Sequence, residues 1–274
     1  MVNIRDLDPS ASPVDYYGAE LRRYREAVGM TQKQLGSKIF CTGSLVGQIE
    51  TARKIPTPEF SQQADAALKT GGALTRLLGL VLRHQLPVWF HDYIDREARA
   101  THLYAFQPVL VHGLLQTEEY ARVVMGVLTE EGLDEKVAAR MERHRILKRE
   151  QPPLVWMVLS ETALYQAIGG ASVMRNQLAH LLSFRNRSAV SIQVLPFDAG
   201  AHAGFSGAFT ILRFSNEADV AYNQDYDLGH LTANAQSVRD RSLRYARLQA
   251  AALSVEDSAE LIARVMEERY GEHL

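Results

Sequence analysis

"TQKQLGSKIFCTGSLVGQIE", residues 31–50, decides how the first quarter of this chain folds. Thr31 followed three residues on by Gln34 has the form of a capping box, in which hydroxyl and amide each satisfy a free N–H at a helix start. Leu35 and Ile39, four apart, share the inward face of one short helix. Gly36 between them leaves room for a neighbour. Phe40-Cys41-Thr42 has length only for a tight turn. Thr42 is a good N-cap for a second helix, Gly43 to Thr51, with Val46 and Ile49 inward. Two helices of about eight residues joined by a short turn have the helix-turn-helix spacing.

The pattern extends both ways. Leu21, Tyr24 and Val28 stripe a helix from Tyr17 to Val28, which Gly29 ends. Thr57 caps a helix running to Leu68, with Pro58 at its first position. Gly71-Gly72 is a joint, and Ala73 to His84 reads as amphipathic through Leu74, Leu77, Leu78, Val81 and Leu82. Charge sharpens the picture: the chain is −2 over 274 residues, yet Gly18 to Pro58 holds seven Lys/Arg against three acids. A small basic module on a mildly acidic body suits a duplex-binding head. A solvated helical face has the same signature.

Residues 16–70 resemble the Cro/repressor-type (XRE-type) helix-turn-helix family through Arg25, Gly29, Thr31-Gln32, Leu35, Ile39, Thr42, Val46, Ile49-Glu50 and Pro56. The resemblance implies that Gly43 to Thr51 enters the major groove and Thr31 to Ile39 crosses the backbone. It assigns base edges to Gly43, Ser44 and Gln48. Gln48 suits adenine and Ser44 several bases, whereas Gly43 has no side chain to read with. Gln32 matches a position that touches phosphate, and Lys33, Thr42, Arg53 and Lys54 are further candidate phosphate contacts. Arg25 and Glu50 match a buried ion pair. Phe40 stands where many relatives carry glycine.

Beyond the head, Trp89, Phe90, Tyr93 and Ile94 form an apolar stripe on a helix reaching about Ala100, read as core or dimer interface. Thr101 to Phe106 reads as a strand and Thr117 as a helix start. Asp134 to Glu150 reads as one charged helix, with Arg140, Arg143, Arg145 and Arg149 on a solvated, salt-bridged face. After Pro152-Pro153, strand signals fall at Leu154–Leu159, Val190–Val194, Phe209–Arg213 and Val220–Tyr222. A helix spans about Met174 to Arg187, and Ala235–Leu253 and Val255–Glu268 close the chain, the last behind the capping box Ser254-x-x-Asp257. The expected organisation is an arm (1–15), a helix-turn-helix domain (16–70), connecting helices (71–100) and an α+β regulatory and dimerisation domain with a small sheet (101–274).

The runs Leu86–Phe90, His112–Arg122, Gln193–His202 and 247–262 (RLQAAALSVEDSAELI) are similar to the C-terminal domain of a large actinobacterial regulator family. That resemblance implies developmental or antibiotic-related transcription control. It further implies a small companion protein encoded nearby, in a toxin–antitoxin-like arrangement.

Catalytic and metal signals are missing. None of the nine histidines sits in an H-E-x-x-H spacing and the lone Cys41 forms no Cys-x-x-Cys. Gly204 to Ala208, GFSGA, ends in alanine where a nucleophile elbow needs glycine. No cofactor, metal or enzymatic activity is expected. The glycine-rich segment Asp198 to Gly207, with Asp198, His202 and Phe205, suits a ligand or partner loop and equally a plain turn. One cysteine suits a reducing cytoplasm, and no apolar run approaches the roughly 18 residues of a membrane span. The expected function is a homodimeric, sequence-specific regulator of double-stranded DNA with a pseudo-palindromic operator, its body sensing a small companion protein or ligand. The alternative is an antitoxin-like protein whose main task is to hold that partner.

Overall fold

The computed structural model describes residues 8–84, 88–127, 132–224 and 229–271. The chain divides into two compact units, residues 1–87 with 134–139, and residues 88–133 with 140–274.

The first unit is helical: α1 (Pro13–Ala27), α2 (Gln32–Lys38), α3 (Gly43–Glu50), α4 (Pro58–Leu68) and α5 (Ala73–His84). Side-chain oxygens start four of them. Ser12, Thr31, Thr42 and Thr57 accept from the backbone N–H groups of Asp15, Gln34, Leu45 and Phe60, and the Thr31–Gln34 capping box is complete. Helix α1 starts at Pro13, four residues before the sequence pattern placed it, because Ser12 and Pro13 supply cap and first turn. The arm's residues 1–7 lie outside the described ones. Tyr17, Leu21, Leu35, Val46, Ile49, Phe60, Leu74 and Leu78 interlock as the core. Asp65 ties α4 to α5: its carboxylate accepts from the N–H groups of Leu74 and Thr75, both at 2.9 Å, and from the hydroxyls of Thr70 and Thr75. It thereby satisfies free donors at the start of α5.

The second unit is α+β. Its strands are β1 (His102–Gln107), β2 (Leu154–Ser160), β3 (Val190–Leu195), β4 (Phe209–Arg213), β5 (Val220–Gln224) and β6 (Gly229–Thr232), ordered β3-β2-β1-β4-β5-β6. The β1–β2 and β2–β3 pairs are parallel and the others antiparallel, so the sheet is mixed. Its helices are α6 (Val88–Glu97), α7 (Glu118–Gly126), α8 (Leu133–Glu142), α9 (Thr162–Tyr165), α10 (Gly170–Leu182), α11 (Ala235–Ala251) and α12 (Val255–Tyr270). The first turns of α8, residues 134–139, count with the first unit. Alternation along the strands sorts the two faces. Phe106, Phe209, Ile211 and Ala221 pack with Val238, Tyr245 and Leu248 of α11. Thr210 pairs with Ala105 on one side and Tyr222 on the other, and this row belongs to the opposite face.

Three expectations are corrected. The charged helix does not run from Asp134 to Glu150; α8 ends at Glu142 and Arg143–Lys148 tightens to a 3-10 turn. There Arg143 is buried rather than solvated, because the carboxylate of Glu97 holds its guanidinium. Helix α10 starts at Gly170, earlier than Met174, behind the positive-φ N-cap Gly169. The short α9 and β6 carried too few residues to show a period.

Candidate nucleic-acid interface

Three helices converge on one buried carboxylate. Glu50, fully buried at the end of α3, accepts from Arg25 Nε at 2.5 Å and Nη2 at 2.9 Å, and from Gln32 Nε2 at 2.8 Å. Arg25 Nη1 also donates to the Met30 carbonyl at 2.7 Å. Glu50's hydrogen bonds hold the guanidinium pKa of Arg25 above its ordinary value despite burial. A buried pair of this kind fixes orientation more than it adds stability, since desolvation offsets the attraction. Here it sets the angle of α3 against α1 and α2.

Helices α2 and α3 approach closely because their contact carries glycine. A Cβ on Gly43 would lie 2.9 Å from Lys33 Cα and 3.0 Å from Lys33 N, and one on Gly47 would meet Gln32 Oε1 at 3.0 Å. A Cβ on Gly36 would fall 2.8 Å from Cys41 O, so it is the turn's backbone, not another helix, that Gly36 admits. Phe40, in that turn, holds φ at +58° with its side chain 91% exposed. Cys41 N–H returns to Gly36 O at 2.8 Å, so the left-handed closure usually left to glycine forms with phenylalanine. Its steric cost is on the order of 1–2 kcal/mol.

With Val46 and Ile49 inward, Ser44 and Gln48 stand one turn apart on the exposed side of α3. Lys33, Arg53 and Lys54 are exposed around it, and neither they nor the Ser44 and Gln48 side chains have a hydrogen-bond or ion-pair partner among the described residues. Thr42 is exposed, but its oxygen already caps α3, which leaves only its hydroxyl proton to give. Gln32 is half-buried and commits its amide to Glu50. Gly43 faces Lys33 backbone rather than solvent alone, so position 43 supplies close packing instead of a reading side chain.

Two of the three loop candidates come together and the third stands apart. Asp198 is exposed in a 3-10 turn. The His202 ring packs 4.3 Å from Phe205 and 5.9 Å from Phe106, and its Nδ1 accepts from Gly204 N–H. Phe205 is exposed. None of the three lines a cavity described in this unit. The apolar stripe is better placed: Phe90 and Tyr93 are buried and stacked at 5.1 Å, as core. The Trp89 side chain lies outside the described ones. The sequence reading missed Glu97, whose signal was its place four residues after Tyr93, in line with that stripe.

A helical core that presents Ser44 and Gln48 bare on the outer side of α3, with unpaired cations beside them, is the architecture of a helix-turn-helix DNA-binding regulator. Family comparison agrees at the N-terminus, where a model described as "Helix-turn-helix domain" matches residues 17–78. A second model, "Domain of unknown function (DUF5753)", matches residues 90–264, more than half of the chain. The chain therefore belongs to the DUF5753 family, with a helix-turn-helix head. No curated protein and no solved structure matches it. No helix among the described residues is long and apolar enough to cross a membrane.

Proposed function

We propose that the chain is a sequence-specific transcription regulator that reads an operator with Gln48 and Ser44. Lys33, Arg53, Lys54 and the Thr42 hydroxyl seat the head on phosphates. The observation that carries this reading is the pair Ser44 and Gln48, polar, exposed and unpartnered on the outer side of a helix otherwise locked by Glu50. Glutamine there offers adenine a bidentate edge contact, and the flanking cations supply sequence-independent affinity by releasing counterions. Two heads in a homodimer reach half-sites roughly 34 Å apart, one turn of duplex, so the operator is pseudo-palindromic. The second unit dimerises and takes the regulatory input, from a small companion protein or a ligand, by binding better in one arrangement of the heads.

Fluorescence anisotropy of the full chain on its own upstream DNA, against a scrambled duplex across a salt series, tests the reading. Preference for the native fragment at physiological salt supports it. Equal, steeply salt-dependent binding to both duplexes refutes sequence-specific reading.

A further inference from the structure

Among the described residues, buried charge in the second unit does not balance. Glu97, 1% exposed, takes both Arg143 Nε and Nη2 at 2.8 Å and the Tyr93 hydroxyl at 2.8 Å. That pair is complete. Arg140, three residues before Arg143, has no carboxylate partner among the described residues. Its Nη1 donates to Gln116 Oε1 at 2.7 Å, while its buried Nε–H has no hydrogen-bond partner. The hydroxyl of Tyr222, a residue 5% exposed, is likewise buried and unpartnered. Both residues line one cavity of about 150 Å³.

Buried polar atoms without partners at one cavity call for a partner there, because each carries its full desolvation cost unmet. Burial pulls the Arg140 pKa down to about 9, with Arg143 adding to the fall, so the group is still charged at neutral pH. Burial pushes His112, also at the cavity, down to about 3, so it is neutral. Two guanidinium ions against one carboxylate leave a single surplus positive charge. A monoanion cancels it; a phosphate dianion overshoots.

We infer that the second unit binds a small organic carboxylate, its oxygens accepting from Arg140 Nε and Tyr222 Oη and its body lying against the rings of Phe90 and Tyr93. The size fits, since an apolar void of about 150 Å³ holds one benzene ring. Gly113 leaves room for the guanidinium: a Cβ there would meet Arg140 Nη1 at 3.0 Å and Cζ at 3.3 Å. This deepens the regulatory reading by naming the ligand class, and rests on it only for the purpose of binding.

Isothermal titration of the full chain without DNA keeps the two readings separable, because operator binding by the head plays no part. The probes are benzoate, cyclohexanecarboxylate and hexanoate, with benzamide as the neutral isostere of benzoate and inorganic phosphate as a competing anion. Benzoate binds one per chain and benzamide at least tenfold more weakly. Tyr222→Phe weakens benzoate several-fold without moving the thermal transition. Arg140→Met abolishes binding and leaves the ligand-free protein as stable or more stable, since it removes an uncompensated buried charge. No heat from any carboxylate at millimolar concentration overturns the inference, as does equal binding of benzamide or tighter binding of phosphate. Benzoate binding that survives both substitutions overturns it as well.

Discussion

Replacing Gly43 by alanine tests how the head is built. The added Cβ would sit 2.9 Å from Lys33 Cα and 3.0 Å from Lys33 N, both backbone atoms that no rotamer change can remove. Carbon pairs settle near 3.5–4.0 Å, so α3 must move away from α2 by roughly 0.5 Å or more. That movement strains the Gln32–Glu50 bond, which spans the same contact. Overpacking of this kind costs about 1–3 kcal/mol. Alanine's higher helix propensity returns nearly 1 kcal/mol of that at an interior position and less at this first turn. The expected net loss is about 1–2 kcal/mol, or roughly 4–16 °C in the head's calorimetric transition at the sensitivity of a domain this size. Operator affinity falls with it, because Ser44 and Gln48 move as one body. A Gly43→Gln variant should fare no better, although glutamine is a base-reading side chain. An unchanged head transition in Gly43→Ala, or tighter operator binding by Gly43→Gln, would refute the close-packing argument and return position 43 to base reading.

Gln48→Ala should cost about 1–3 kcal/mol on the preferred operator and relax specificity at one base pair, measured by anisotropy on single-substituted duplexes. If it weakens random DNA equally, α3 is not in the proposed register. For Asp65, burial opposes the charged form, but the hydrogen bonds from Thr70, Thr75 and Leu74 win and hold its pKa below the ordinary carboxylate value. Its contribution is thus fully present above about pH 4, the unfolded value, and fades as pH falls through the lower folded one. Asp65→Asn should cost about 2 kcal/mol at neutral pH and flatten this part of the acid profile, read by urea titrations of the head at several pH values. Glu97→Gln should destabilise the second unit by about 3–5 kcal/mol, because it leaves the buried Arg143 guanidinium without its carboxylate. Chemical unfolding curves showing less than 1 kcal/mol would mean that water reaches the cluster.

The head was legible because its signals are local. Thr31 with Gln34, Thr42, and Thr57 with Pro58 each declare a helix start within four residues, and period alone places Leu35, Ile39, Val46 and Ile49 inward. The depth of the α2–α3 contact was not, since Gly43 and Gly47 read as absent side chains until the opposing backbone of Lys33 is seen. In the second unit the stronger strands announced themselves by alternation, while β6, four residues long, is set by its antiparallel pairing with β5. The buried arginines were the largest miss. Arg140, Arg143, Arg145 and Arg149 look alike in sequence, and only the partner Glu97, about fifty residues upstream, separates buried from solvated.

The two buried charge clusters of this chain invite opposite conclusions, and the difference is arithmetic. In the head, Arg25 meets Glu50, Gln32 completes the carboxylate, and no side-chain atom of the three is left unpartnered and buried. A closed cluster of that kind has nothing to offer a ligand, so its work is to aim α3. In the second unit the same motif, Arg143 on Glu97, is also closed, but a second guanidinium stands beside it with one buried N–H unspent and a buried hydroxyl across the cavity. Had the cluster been only structural, methionine or leucine at position 140 would fill the space without the desolvation cost of an unpaired cation. A stably folded chain that keeps the cation has to offset that cost with other contacts, and a bound carboxylate removes the cost directly, adding stability in proportion to its occupancy. That is the physical route by which a small anion would change the population of states in this unit.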